Sequence, residues 1–363
     1  MNHTPQTQLH KTFRLNKGPL IINALFGGLV GGAYGLAIAN PLAVFMAGAV
    51  IGLAIGVGYE WLAWKWRRHT RLYRQRLLLL ILFEIVLTFY VVLPLAATHS
   101  TLYPLRFPVT LPPWQVSDQL EDVSFTTSDG LTLQGWYIPS GNGAAIIALH
   151  GFNGNRSHVV FHAKALADHG YGVLLFDLRM HGESGGTIFS SWETERDVVA
   201  AVDYLKTRSD VQPERIGAIG LSAGAHAILS GAAASPDVRA MILDGLGAGT
   251  VDDFLDPFIP EVQGLWFMTP AIWLDDRALE LYTGRAAPPP FKELVKRIAP
   301  RPMLFISSGL APYETSLAQR YAVNAGASAE AWDLPDVDHV SGMVTRPEEY
   351  AQKMLNFFDQ HLR

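Results

Sequence analysis

A serine flanked by two glycines is the first group in the chain whose residue types could do chemistry. Gly220-Leu221-Ser222-Ala223-Gly224 follows the apolar run Ile216 to Ile219 and precedes an alanine-rich stretch of helical composition. Strand, sharp turn and helix in this order form a nucleophile elbow, which lifts a serine hydroxyl out of a sheet toward substrate. Because glycine is common, this pattern is weak by itself and needs support from the rest of the chain.

A serine hydroxyl is a poor nucleophile until a base removes its proton. An imidazole serves best, because its unperturbed pKa lies close to neutral. Downstream of Ser222 the chain offers His226, His339 and His361. His226 falls one turn into the helix after the elbow and His361 lies near the chain end, whereas His339 lies in a loop between a strand pattern and a final helix pattern.

The segments around the elbow predict a mostly parallel sheet. Alternating residues on both sides of Ser128-Asp129-Gly130 are typical of a β-hairpin. Short apolar strands then end at Leu149, Phe176 and Ile219, with helical patterns between them. The fold class is therefore α/β, with helices on both faces of the sheet. Because parallel strands end along one edge, we expect the chemistry in the loops after those three strands.

From about residue 122 to the C-terminus the chain resembles the α/β-hydrolase superfamily. Within it, the chain is similar to serine hydrolases of the monoacylglycerol-lipase and acyl-thioesterase kind, which are related to serine aminopeptidase-type hydrolases. The resemblance rests on residues 126–136, His150-Gly151-Phe152-Asn153-Gly154-Asn155, Asp177-Leu178-Arg179-Met180-His181-Gly182-Glu183-Ser184-Gly185 and the elbow. In this order the four segments are far more specific than the elbow alone.

The resemblance implies a role for each residue of a catalytic triad, and a reaction that needs no cofactor. Ser222 is the nucleophile, and the acid precedes the histidine in the chain. The histidine between the last strand and the final helix is His339. The implied oxyanion donors are the backbone N–H groups of Phe152 and Ala223.

The triad acid is where the chain departs from the family pattern. Relatives usually carry an aspartate just after the strand that here reads Met303 to Ser307, yet this chain continues to Glu314 without one. Glu314 is the nearest carboxylate, and glutamate is an accepted third member of a triad. Asp244, at the end of the preceding strand, is the alternative acid.

A segment of about residues 245–300 has the composition of a cap over the elbow. We expect Trp266, Phe267 and Trp273 to line an apolar substrate pocket there. The competing interpretation is that these aromatic residues pack the cap on the body of the domain.

Composition excludes several other classes of function. A chain without cysteine has no disulfide, thiolate metal site or cysteine nucleophile. A net charge of -5 without a large basic cluster gives a nucleic acid nothing to bind. His158 and His162 are spaced like metal ligands, but no third ligand is evident, so we predict a solvated helix face and no metal.

Residues 1–98 are predicted to form a membrane anchor with three transmembrane helices, at about 20–39, 42–64 and 77–97. Lys and Arg residues precede the first helix and fill the loop between the second and third, so both segments should be cytoplasmic. Three crossings then place the rest of the chain, a Pro-rich linker at 99–121 and the hydrolase domain at 122–363, outside the cytoplasm. The chain is thus predicted to be an integral protein of a plasma or inner membrane.

Glycines recur every four residues in the first two predicted spans, at positions 27, 31 and 35 and at 48, 52 and 56. Such ridges let helices pack backbone to backbone, either as a hairpin within the chain or as a homodimer surface. Glu84 lies inside the third span. Because a carboxylate is costly in lipid, we expect it to pack against the other two spans.

Together these patterns predict a membrane-anchored serine hydrolase that cleaves esters or thioesters of apolar, lipid-like acyl groups. A serine aminopeptidase or amidase on the same fold is an alternative, since both reactions pass through the same kind of tetrahedral state. A catalytically silent hydrolase fold used as a binding module is another, motivated by the missing aspartate.

Overall fold

The structure is a computed structural model that describes residues 17, 20–21, 23–25, 27–28, 41–69, 73–110, 116–263 and 266–362. The chain divides into two compact units, Met1–Ser100 and Thr101–Arg363.

Long helices dominate the described part of the first unit. Helix α1 is Pro41–His69, α2 is Tyr73–Leu87, and a π-helical turn at Thr88–Val92 leads without a break into α3, Leu93–Leu102. The predicted span 42–64 lies inside α1, whereas the span 20–39 lies largely outside the described residues. Within the described part of the chain, one helix, Ile81–Leu102, has the length and composition to cross a membrane.

The helix that covers the third predicted span extends further at its C-terminal end than the sequence suggested. Helix α3 continues to Leu102, beyond the predicted end at 97 and into the predicted linker. Leu102 is buried, and Pro104 follows directly after Tyr103. Since proline cannot donate a helical hydrogen bond, the helix stops before it. The irregular connection therefore begins at residue 103.

Close backbone packing inside the first unit explains two of the glycines. A Cβ atom added to Gly52 would lie 2.0 Å from the carbonyl oxygen of Asn23, and one added to Gly56 would lie 3.2 Å from Cα of Leu20. These two glycines therefore pack within the chain, as the hairpin interpretation expects. Glu84 accepts a hydrogen bond from the Tyr59 hydroxyl of α1, so it packs against a neighbouring helix.

The second unit is built on an eight-stranded sheet in the order β1-β2-β4-β3-β5-β6-β7-β8. Strands β1, β2 and β4 pair antiparallel, and every other neighbouring pair is parallel. The strands are β1 Glu121–Thr126, β2 Thr132–Ile138, β3 Ala145–Leu149, β4 Gly172–Phe176, β5 Ile216–Leu221, β6 Ala240–Asp244, β7 Met303–Ser308 and β8 Ala329–Leu334. The predicted α/β class with a mostly parallel sheet is confirmed.

Helices cover both faces of this sheet. The described helices of the second unit are α4 Val160–Asp168, α5 Glu195–Lys206, α6 Ala223–Ala234, α7 Val251–Phe254, α8 Pro260–Gln263, α9 Thr269–Thr283, α10 Phe291–Ile298, α11 Pro312–Ala325, α12 Gly342–Thr345 and α13 Pro347–Leu362. Alternate residues of each strand point to opposite faces. Accordingly Ile147 and Leu149 of β3 join one core layer, and Ile146 and Ala148 join the other.

The register of the parallel strands brings their carboxyl ends to one edge. Leu149 is paired with Phe176 and with Gly220, and Leu221 is paired with Asp244. The loops that follow β3, β4, β5 and β6 therefore leave the sheet at the same level. This edge holds the elbow, as the strand pattern predicts.

The cap is made by α7, α8, a 3-10 turn at Trp266–Met268 and α9. The predicted cap range, 245–300, also includes α10. That helix buries Phe291, Leu294, Val295 and Ile298 in a core layer of the sheet, so it belongs to the body of the domain.

One buried carboxylate ties the cap to the body. Asp253 of α7 accepts hydrogen bonds from the N–H groups of Gly249, at 3.2 Å, Phe291, at 2.7 Å, and Lys292, at 3.0 Å. The last two donors begin α10, whose first N–H groups have no partner within the helix. A single aspartate therefore caps α10 and holds α7 against it.

Replacing Asp253 with alanine should loosen the cap, because the buried N–H of Phe291 and the partly buried N–H groups of Gly249 and Lys292 would lose their acceptor. We expect a loss of about 1–3 kcal/mol of stability. Thermal unfolding of the full chain in detergent would show this as a midpoint lowered by several degrees. Asp252→Ala is the matched control, since Asp252 is exposed and lies next to Asp253 in α7. Equal midpoints for the two variants would contradict the anchoring role.

Candidate active site

The turn between β5 and α6 is tight because two glycines bring strand and helix together. A Cβ atom on Gly220 would lie 2.3 Å from the carbonyl carbon of Gly224, and one on Gly224 would lie 2.7 Å from the carbonyl oxygen of His150. Ser222 between them has φ 51° and ψ −113°, outside the region that side chains favour. Its N–H donates to the carbonyl oxygen of Asp244 at 2.8 Å. This is the elbow geometry that the sequence predicts.

His339 lies in the loop after β8, where its ring meets a carboxylate from the first turn of α11. Nδ1 of His339 lies 2.5 Å from Oε1 of Glu314. Glu314 is buried, whereas the His339 side chain is 41% exposed. The ring therefore has one nitrogen held by the protein, and its edge is open to the surface.

The hydrogen bond that Nδ1–H of His339 donates to Glu314 is the main cause that raises the pKa of His339, and burial of the ring opposes it. A carboxylate at Nδ1 favours the protonated imidazole. An imidazole in this place can accept a proton readily and is stabilised once it has done so.

Asp244, the alternative acid, has a different partner. It is fully buried at the end of β6, and its Oδ2 accepts a hydrogen bond from the Tyr350 hydroxyl at 2.7 Å. Burial raises the pKa of Asp244 to about 7. Of the two carboxylates that the sequence leaves open, Glu314 is the one that is hydrogen-bonded to His339.

Ser222 and His339 face a common cleft of about 650 Å³. Much of the lining is apolar, and the polar side chains in it are few. The lining residues are Gly151, Phe152, Ser157, His158, Phe161, Leu221, Ser222, His339, Val340 and Val344.

The loop after β3, which carries Phe152, packs against the elbow. A Cβ atom on Gly151 would lie 3.4 Å from Cβ of Ser222, so this loop lies against the serine. Ala223 is the first residue of α6, where helical N–H groups have no partner within the helix. Neither the Phe152 nor the Ala223 N–H donates to another residue in the described part of the chain.

Two buried histidines hold that loop in shape. Nε2 of His150 accepts from the Leu178 N–H at 3.1 Å, so its Nδ1 carries the proton donated to the Gly151 carbonyl at 2.7 Å. Nε2 of His181 accepts from the Asn153 N–H at 3.3 Å. Burial lowers the pKa of His150 to about 3 and that of His181 to about 4. Both rings are therefore neutral supports at physiological pH.

The remaining histidines named by the sequence do not form a metal site. His158 is exposed in the cleft, but His162 is buried against the Tyr350 ring, with centroids 5.3 Å apart, which corrects the prediction of a solvated face. Among the described residues no group of three His, Asp or Glu side chains could hold a metal ion. His226 is half-buried and packs edge-on against the Phe291 ring, with centroids 4.8 Å apart, and desolvation lowers its pKa to about 4.

The cap aromatics are not where the sequence places them. Trp266, Phe267 and Trp273 are exposed, and none of them lines the cleft that holds Ser222. The aromatic side chains that line it are Phe152 and Phe161. Phe161 was missed because composition marks the cap as apolar but does not show which aromatic residues face the cleft. Its place in the helix after the His150 loop is the signal that could have found it.

Comparison with known proteins agrees with this geometry. The sequence profile of the alpha/beta hydrolase family matches residues 146–353. The chain belongs to this family. It is 30% identical over 292 residues to the uncharacterized protein YfhR of Escherichia coli O157:H7, which covers 77% of this chain and 93% of that protein.

Two further proteins similar to this chain are named for a hydrolytic activity. The thiohydrolase aneE of Aspergillus aculeatus is 35% identical over 148 residues, or 39% of this chain and 46% of that protein. The structure of the esterase Pf2001 of Pyrococcus furiosus is 25% identical, with a TM-score of 0.56 over 72% of this chain and 99% of the esterase. The family and these neighbours identify the chain as a hydrolase. The chain also carries the four segments on which the resemblance in the sequence rests.

Replacing Glu314 with glutamine should lower kcat and move the acid limb of the pH profile. Without the carboxylate the pKa of His339 falls, so the ring stays neutral, and able to act as a base, to lower pH. At the optimum we expect kcat to fall by about 10²–10⁴-fold, as for loss of a triad acid. Profiles of kcat/KM against pH for a soluble ester would measure both effects.

Asp244→Asn is the matched control for Glu314→Gln, because Asp244 is the other buried carboxylate near His339. It should lower kcat much less than the glutamine variant does. A larger loss in Asp244→Asn than in Glu314→Gln would assign the acid to Asp244 instead.

Proposed function

We propose that the chain is a membrane-anchored serine hydrolase that cleaves ester or thioester bonds of apolar acyl groups. The observation that carries this proposal is the hydrogen bond of 2.5 Å between Glu314 and Nδ1 of His339, in a cleft that His339 shares with Ser222. Because Nδ1 is engaged, Nε2 is the nitrogen available to the serine proton.

In the proposed reaction Oγ of Ser222 attacks the carbonyl carbon of the substrate while Nε2 of His339 takes the hydroxyl proton. The N–H groups of Phe152 and Ala223 stabilise the oxyanion of the tetrahedral intermediate. The intermediate collapses to an acyl-enzyme, and His339 gives its proton to the departing alcohol or thiol. Water then attacks the acyl-enzyme with His339 again as base, which releases the acid and restores Ser222.

Glu314 holds the His339 ring by Nδ1 and stabilises the imidazolium that forms when the serine proton is taken. A buried glutamate in the first turn of a helix can reach this nitrogen although it lies further along the loop than the usual aspartate. The raised pKa of His339 suits a base that works near neutral pH.

The proposed substrate class follows from the lining of the cleft. Phe152, Phe161, Val340 and Val344 offer apolar contacts to an acyl chain beside Ser222. The esterase and thiohydrolase among the relatives support ester and thioester substrates rather than any one leaving group.

The anchor is proposed from the helix Ile81–Leu102, which is apolar and about long enough to cross roughly 30 Å of hydrocarbon. Basic residues fill the segment before it, including Lys65, Arg67, Arg68, Arg71, Arg74 and Arg76. The positive-inside rule then places that segment in the cytoplasm and the hydrolase domain on the other side of the membrane.

An active-site-directed fluorophosphonate should label the native chain and fail to label Ser222→Ala, because the reagent needs an activated serine. Ser157→Ala is the matched control. Ser157 lines the same cleft, but its hydroxyl donates to the carbonyl oxygen of Thr110 at 2.7 Å. In-gel fluorescence after labelling measures both variants. Equal labelling of native protein and Ser222→Ala would sink the proposal.

Phe161→Ala should reduce kcat/KM for a decanoyl nitrophenyl ester by about tenfold and leave the acetyl ester nearly unchanged. Phe161 is exposed in the cleft, and burying its ring under a long acyl chain contributes about 1.5–3 kcal/mol. Phe258→Ala is the control, because Phe258 is an exposed cap residue outside the cleft lining. Steady-state rates with the two esters and with an aminoacyl nitroanilide separate the outcomes. Preference for the anilide would indicate an amidase instead.

A further inference from the structure

A row of exposed residues follows one face of the cap. Trp266, Pro270, Trp273, Arg277 and Leu281 recur at intervals of three or four residues, the spacing that places side chains on one helix face. We call this row the cap stripe. Trp266 is 73% exposed, Trp273 is 54% exposed and Leu281 is 84% exposed. Tyr282, next to Leu281, is exposed as well.

The cap stripe lies on the outside of a helix that already buries its other face. Helix α9 buries Ala271, Ala278 and Leu279 against the domain. A surface helix normally turns charged residues outward. Here Trp273 and Leu281 of α9 are exposed instead, as is Trp266 of the preceding 3-10 turn. A contiguous exposed apolar surface of this kind marks an interaction site.

Two of the three carboxylates of α9 are engaged within the domain. Asp276 is buried and accepts from the Val251 N–H at 3.1 Å. Glu280 pairs with Arg277 at 2.6 Å and accepts from the Ala287 N–H at 3.0 Å. The stripe therefore presents two tryptophans, a leucine and the Arg277–Glu280 ion pair, which has no net charge. Tryptophan and tyrosine favour the level of the lipid headgroups.

The position of α9 in the chain's path indicates which surface it meets. Leu102, the last residue of the apolar helix Ile81–Leu102, is fully buried and packs with Trp192 and with Leu279 of α9. The Phe189 N–H donates to the carbonyl oxygen of Leu102 at 2.8 Å. Leu102, near the start of the second unit, therefore lies beside Leu279 of α9. Leu279 is two residues before Leu281 of the cap stripe.

We propose that the cap stripe docks on the phospholipid bilayer in which Ile81–Leu102 is anchored. The proposal rests on the anchor stated under Proposed function and is independent of the hydrolytic chemistry. Docking on lipid accounts for the exposure of Trp266 and Trp273 outside the cleft. The occupant of the stripe is the headgroup region of the bilayer, not a second copy of the chain.

The absence of cysteine allows a direct test with single labelled positions. Trp273→Cys and Leu281→Cys, each labelled with the fluorophore NBD, are reconstituted as full chains into vesicles of phosphatidylcholine and phosphatidylglycerol. We expect NBD emission at shorter wavelength than in water and strong quenching by nitroxides placed at the lipid headgroup. Val323→Cys is the matched control, since Val323 of α11 is 73% exposed on the same domain and should show neither effect.

A label at Leu93→Cys, inside Ile81–Leu102, reports the anchor separately through nitroxides placed deep in the acyl chains. Deep quenching at 93 with water-like emission at 273 and 281 overturns docking and leaves the anchor intact. Quenching by headgroup nitroxides at positions 273 and 281, with no deep quenching at position 93, supports docking of the cap stripe and contradicts the anchor. Energy transfer between labelled copies that rises with the protein-to-lipid ratio, without nitroxide quenching, assigns the stripe to a dimer and overturns the proposal.

Discussion

The close approach of β5 and α6 is the constraint on which the rest of the site depends. Ser222 is held at φ 51°, a conformation that costs a side-chain-bearing residue about 1–3 kcal/mol. The cost is met locally, because Gly220 and Gly224 leave room for the turn and the Asp244 carbonyl accepts from the Ser222 N–H. The same turn exposes the first N–H of α6. The hydroxyl and one proposed oxyanion donor therefore share a single structural origin.

The body of the domain was predictable because its signals are local. Five-residue apolar strands such as Ala145–Leu149 and Gly172–Phe176 are buried on both faces, and their composition shows it. The orientation of the cap was not predictable in this way. An aromatic residue in an irregular segment packs inward or outward according to the neighbours it meets, and those neighbours are distant in sequence. Trp273 is outward, whereas Phe161, from a different helix, faces the cleft.

The two carboxylates near His339 show a second limit of sequence reasoning. Asp244 ends β6 and Glu314 follows β7, and both strands end at the edge that holds the elbow, so strand order alone cannot separate them. The distinction comes from α13, where Tyr350 donates to Asp244, and from the first turn of α11, which delivers Glu314 to Nδ1 of His339. Burial then favours the protonated form of Asp244, whose pKa is about 7, and leaves Glu314 as the hydrogen-bonded partner of the ring.

The entry of the chain beside α9 changes how strong the proposed lipid contact must be. A free domain would need a large apolar surface to stay on a bilayer, but a tethered one starts at a high effective concentration near it. Leu102, the last residue of the apolar helix, packs against Leu279 of α9, and the irregular linker begins only after it. A short row of aromatic and aliphatic side chains can then be sufficient to hold the cap on the lipid. A weak contact of this kind would let the cap leave and return without releasing the domain from the membrane.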